Sequence, residues 1–280
     1  DGFAVPAPAQ VTQTVRWLSS LLMSRIKLSH VVRKISFITL VVVFSACAPT
    51  PSATLPAPTV AVTPTVILTP TQNWSATSTA IANQTDAEFE NLVARVKAQE
   101  ADIDFTELRM AFARTSQYDP YGLQYRQLRD EMVATSDAGN FEYSLELANK
   151  YLEINYIFPE AHIVAIRAYD ALNNPEKADF HRYVLNGLIE SILASGDGTT
   201  PQSAYEIVLI EEEYLILEVK GIKEPINREE FVEGCDAFDS IDPISGQIIT
   251  TYFNPRIPIQ SFLSSLSGYN GSYNPWSGGC

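Results

Sequence analysis

Carboxylates are the first groups in this sequence with a spacing that chemistry could use. Glu211-Glu212-Glu213 sets three side by side, the residue type for general acid–base work or for holding a cation. Read as part of a strand, the run divides, because alternation sends Glu212 to the face opposite Glu211 and Glu213. A solvated strand connection is the plain expectation for it. Arg109, on an early helix, needs a partner if it is partly buried, and the Glu212-Glu213-Tyr214 segment could provide one across a helix–sheet junction. The candidate cluster is therefore Arg109, Tyr118, Tyr121, Glu213 and Tyr214. Its structural reading is an ion pair docking two layers; its functional reading is a polar-aromatic pocket for a small ligand or a peptide end.

Other chemistry is thin. His162 and His181 sit in no His-x-x-x-His or Cys-x-x-Cys pattern, so no metal and no cofactor is expected, and both are read as surface or capping histidines. There is no Gly-rich phosphate loop and no Gly-x-Ser-x-Gly elbow, so no catalytic residue is assigned. Cys235 and Cys280 could form a disulfide in an extracytoplasmic compartment; two unpaired thiols, with Cys235 partly buried, is the simpler expectation.

Cys47 belongs to an address rather than a site. Met23 opens a segment with a basic region (Arg25, Lys27, Arg33, Lys34) and an apolar run from Ile35 to Phe44, the form of a signal peptide over residues 23–46. The run ends on Phe44-Ser45-Ala46-Cys47, which resembles the bacterial lipobox, with Phe44 where leucine is usual. The resemblance implies a diacylglyceryl group on Cys47 and cleavage before it. Two acyl chains anchor stably, each buried CH₂ contributing about 0.8 kcal/mol. Residues 1–22, upstream of that start, are read as an extension of the reading frame. The expected location is the cell envelope, exported and lipid-anchored to the membrane with the domain outside the cytoplasm.

Charge narrows the partners. The 280 residues hold 19 Lys and Arg against 33 Asp and Glu, a net charge of -14. Removing residues 1–46 takes away five basic residues and one acidic one, which leaves a net charge near −18. So negative a surface repels phosphates at long range, which disfavours nucleic acid, and no nucleic acid partner is expected.

The elements that must position these residues follow from pattern. Residues 47–84 are rich in Thr and Pro and carry no charge. They are read as a disordered tether spanning on the order of 35 Å as a coil and about 110 Å as polyproline II. Order is expected from Thr85, where Thr85-x-x-Glu88 has the form of a capping box, to residue 266, with 267–280 a flexible tail. Asp104-x-x-Glu107 caps a second helix, and Asp119-Pro120-Tyr121-Gly122 is a turn. Helices follow from Phe141, from Pro159 and after Asn173-Asn174-Pro175. Gly139 to Asn173 is 34 positions, the tetratricopeptide period, and Ser144 and Ala178 fall at matching small positions across it. An unrelated antiparallel bundle would share that pattern. Beyond Gly198, Tyr205–Ile210 and Tyr214–Val219 read as strands, and 235–241 with 247–253 as a hairpin around Asp242-Pro243-Ile244-Ser245-Gly246. The fold class is α+β: antiparallel helical hairpins, tetratricopeptide-like, packed with a small antiparallel sheet.

Four stretches carry a family resemblance together: Asp104-Phe105-Thr106-Glu107-Leu108-Arg109, Tyr118-Asp119-Pro120-Tyr121, Glu212-Glu213-Tyr214 and Tyr252-Phe253-Asn254. Their order and spacing over residues 102–265 resemble the bacterial domain of unknown function 4919 family. The resemblance implies a shared fold and an exported setting, and no reaction. Anchor, tether and stacked helices lead to the expectation of a surface-tethered module that binds an unknown protein or peptide. An envelope hydrolase or processing enzyme using acidic residues, and a structural envelope component, are the alternatives.

Overall fold

The computed structural model describes residues 74–222, 225–265 and 280. Cys47, the signal segment, the tether up to residue 73 and the tail from 267 to 279 lie outside them. Helix α1 (Trp74–Lys97) starts well before the expected boundary. Thr85 does not cap it: its hydroxyl donates to the Ala82 carbonyl at 2.9 Å, as a mid-helix threonine does.

Local signals set most of the remaining helices. Asp104 caps α2 (Phe105–Phe112) by accepting from the Glu107 amide at 3.0 Å. Helix α3 (Arg126–Asp137) stops ahead of Gly139, whose φ of 76° is the left-handed conformation of a helix end. Helices α4 (Phe141–Ile154), α5 (Pro159–Ala171) and α6 (Pro175–Leu193) follow, α5 and α6 opening on proline at the first turn. From α3 to α6 each helix packs on the next. Helix α5 is buried along the whole of Pro159–Ile166, so it is the central rod and has almost no solvent face. One core joins Leu108, Phe112, Met132, Ala148, Tyr151 and Val164. A second, with Ile166, Leu185, Ile189, Ile216, Phe238 and Phe253, fastens the helices to the sheet.

The sheet contains β1 (Tyr205–Glu206), β2 (Asn227–Val232), β3 (Cys235–Ile241) and β4 (Ile248–Asn254) in the order β1-β4-β3-β2. The expected β3–β4 hairpin is present, its turn held by the Asp242 carboxylate accepting from the amides of Ile244 and Ser245. The sheet is mixed rather than antiparallel, because β1 runs parallel to β4, with Tyr205 opposite Phe253. It enters from α6 through a loop, not a hairpin turn, and so no hairpin rule fixes its direction. A second correction concerns Tyr214–Val219, which belongs to a helix, α7 (Glu211–Val219), and not to a strand. A last helix, α8, covers Arg256–Ser265.

The loop into β1 is tight. Ser203's carbonyl accepts from the amides of Asp197 and Gly198, at 3.0 and 2.8 Å. A Cβ at Gly196 would stand 2.2 Å from that same carbonyl oxygen. The obstacle is backbone on both sides, so neither can swing away. Gly196→Ala is expected to destabilise by about 1–3 kcal/mol, the usual range for overpacking. A urea midpoint equal to that of the parent protein would contradict it.

Candidate functional site

The acidic run sits in the first turn of α7, where the helix dipole favours negative charge. Successive side chains on a helix diverge by about 100°, so three adjacent glutamates meet three different arginines. Glu211 Oε1 accepts from Arg129 Nη1 at 2.9 Å. Glu212 takes Arg109 in a fork, from Nε at 2.9 Å and Nη2 at 2.7 Å. Glu213 Oε2 lies 3.2 Å from Arg228 Nη2, which also donates to Asp236 at 2.8 Å. A strand would have placed Glu211 and Glu213 on one face. Three buried or half-buried carboxylates needing separate cations are better served by a helix, and tertiary pairing overrides the β-branched composition.

Arg109's partner is therefore a member of the expected Glu212-Glu213-Tyr214 segment, Glu212 rather than the Glu213 named in the cluster. Both side chains are sealed, at 0% and 1% exposure, and the contact is closed. Its work is on the backbone. Arg109 Nη2 donates to the Glu206 carbonyl at 2.8 Å, and Glu212 Oε2 accepts from the amides of Val208 and Leu209, at 2.7 and 3.4 Å. Tyr118 donates its hydroxyl to the Val208 carbonyl at 2.6 Å; burial first, then Glu212, holds that phenol above its ordinary pKa and keeps it a donor. These side chains take the polar groups that a longer β1 would have paired, and the strand ends after two residues. Tyr121 packs edge-on against Phe262 and Tyr214 against Phe238, each with ring centres 5.8 Å apart. Of the five predicted residues, Arg109 and Tyr118 thus converge on the Glu206–Val208 backbone, Glu213 meets Arg228, and Tyr121 lies close enough to Tyr118 to add to the rise of its pKa.

The histidines were expected at the surface and are buried. His162 Nε2 donates to the Tyr156 carbonyl at 2.8 Å, which leaves its Nδ1 as an acceptor for the His181 Nδ1 proton at 3.0 Å. Burial lowers their pKa values to about 3 and about 4, so the pair is neutral and structural. Among the described residues no group of three or more His, Cys, Asp or Glu could hold a metal. Cys235 and Cys280 are joined in a disulfide, with Cα atoms 5.7 Å apart. It ties the chain's last residue to the start of β3.

A site of mixed apolar and polar lining lies beside the Glu211–Arg129 pair. The Asp119–Gly122 turn closes with the Gly122 amide on the Asp119 carbonyl at 3.1 Å, and the Asp119 carboxylate accepts from the Gln124 amide at 2.8 Å. Gly122 has a φ of 59°, and a Cβ there would lie 3.4–3.6 Å from Arg129 Nη1, Glu211 Oε1 and the Tyr151 hydroxyl. Between this turn and the end of α4 is a small pocket lined by Phe112, Asp119, Gly122, Tyr125, Tyr151 and Asn155, among others, with room for one water-sized group. Asn155 is 6% exposed, and its carbonyl oxygen has no hydrogen-bond partner. Sequence reasoning placed Asp119 and Gly122 in a turn without a site role and missed Tyr151 and Asn155. The available signal was a polar pair, four residues apart, continuing the buried stripe of Ala148 and Leu152.

Comparison with curated proteins and with solved structures finds no match. A family model does match, over residues 76–260, a span that takes in every arginine–glutamate pair of α7 and the whole of the pocket. Its description is "Domain of unknown function (DUF4919)", and the chain belongs to that family.

Proposed function

We propose that the protein is a lipid-anchored, extracytoplasmic binding module, held at the membrane through Cys47 and contacting its partner at the Asp119–Asn155 pocket. The observation that carries the binding reading is that pocket. Its buried Asn155 carboxamide has an unmet acceptor, and buried polar groups are ordinarily satisfied. By contrast, the acidic run is engaged with arginines, which weighs against the hydrolase alternative. The disulfide supports the exported setting, since such bonds persist in oxidising compartments. Among the described residues no helix is long and apolar enough to cross a membrane.

Two measurements test the location. Cys47→Ala should release the protein from membranes and end its metabolic labelling by a fatty acid; continued labelling refutes the anchor. Peptide mass spectrometry without reductant, on protein from its native cells, should recover Cys235 linked to Cys280. Free thiols at both positions would argue for a reducing compartment. Binding is tested by pull-down with the full chain, where a saturable partner surviving moderate salt is the expected result.

A further inference from the structure

We infer that the pocket beneath the Asp119–Gly122 turn seats a primary ammonium group, of the kind that ends a lysine-like side chain or opens a polypeptide. This deepens the binding reading above and rests on it. Size comes first: the space admits one water-sized group, and an ammonium is about that large. Charge comes next. Asp119 lines the pocket, and behind Gly122 stands the Glu211–Arg129 pair. Two carboxylates against one guanidinium leave a net negative site, which favours a cation over an anion.

The remaining lining suits the same guest. An ammonium has three N–H donors and no acceptor. Asp119, Tyr151 and Asn155 line the pocket; each of these side chains carries an acceptor oxygen, and that of Asn155 is buried without a hydrogen-bond partner. Phe112, Tyr125 and Tyr151 supply aromatic walls, surfaces that attract cations through the ring quadrupole. A bare metal ion fits less well, since no three His, Cys, Asp or Glu side chains among the described residues converge. A guest held only by its end leaves its stem on the surface, where Leu123, next to Gly122, is 64% exposed.

The test titrates the full chain by calorimetry with Nα-acetyl-lysine methylamide and with alanyl-alanine amide. Their controls are Nε-acetylated and Nε-trimethylated lysine derivatives. At least one free amine should bind tenfold or more tightly than the controls; which one does so identifies a side-chain or a chain-terminal ammonium. Asp119→Asn, which keeps an acceptor for the Gln124 amide, should weaken that binding at least tenfold. If this variant does not fold, the trimethyl comparison on the parent protein decides alone, because a bulkier cation of equal charge should be refused. Equal affinity for the acetylated and free amines, or no amine binding, would overturn the inference and leave a water-filled pocket. In that event membrane release by Cys47→Ala and partner capture would still stand, so the two readings fail separately.

Discussion

Arg109→Met should destabilise the protein by about 3–5 kcal/mol, the cost of stranding one member of a buried ion pair, read as a lower urea midpoint. The carboxylate left behind, on Glu212, is 1% exposed and has no other cation within salt-bridge reach among the described residues. Its two amide donors, Val208 and Leu209, soften the loss without replacing a charge. Removing both ends, with Glu212→Leu added, should cost less than the sum of the single changes, with a coupling of about 1–3 kcal/mol. Full recovery is not expected. The Glu206 carbonyl and the Val208 amide would still lose their partners, and unmet buried backbone groups are costly. Arg129→Met supplies the contrast. Its partner Glu211 keeps a quarter of its side chain in solvent; burial still raises its carboxyl's pKa, so the stranded group can partly hydrate or take up a proton, and the effect should be smaller than at Arg109, about 1–2 kcal/mol. Equal losses at Arg109 and Arg129 would sink this account.

The parts of the fold that were legible are those whose cause is local. Asp104, Asn174 and Pro159 sit at helix starts in the structure as their spacing predicted, because a cap is decided within four residues. The 242–246 turn is equally local. What could not be read depends on distant contacts. Arg109 and Glu212 are 103 positions apart, and choosing Glu212 over Glu213 requires knowing that α7 is a helix. Tyr214, Ile216 and Val219 alone suit a strand as well; the three arginines supplied by α2, α3 and β2 decide it. The same limit hid the pocket. Asp119 and Asn155 come together only after α3 and α4 have folded back on one another, and each looks ordinary in isolation.

Glu160→Gln should stabilise the protein, and the gain should grow with pH. Glu160 lies in the first turn of the central helix α5, 9% exposed, and burial raises its carboxyl to about 8, with Arg129 pulling down and Glu211 pushing further up. An unfolded chain releases that proton near 4.5. Between those two values the folded state therefore holds a proton that the unfolded state has lost, and stability declines as pH rises. The contribution is fully present below about pH 4.5 and is gone above about pH 8. At about 1.4 kcal/mol per pH unit the decline is on the order of 3 kcal/mol by pH 7. Glutamine keeps the shape and cannot ionise. The variant should thus match the parent at pH 4.5 and exceed it by on the order of 3 kcal/mol at pH 7 in urea unfolding. His162 and His181 bias the opposite limb: with folded values of about 3 and about 4, their stabilisation is lost as pH falls below the ordinary histidine value of 6.5. With Glu160 removed and the histidines intact, the pH of greatest stability should move upward. A variant whose stability keeps the parent's slope between pH 5 and 8 would show that Glu160 is not the group responsible.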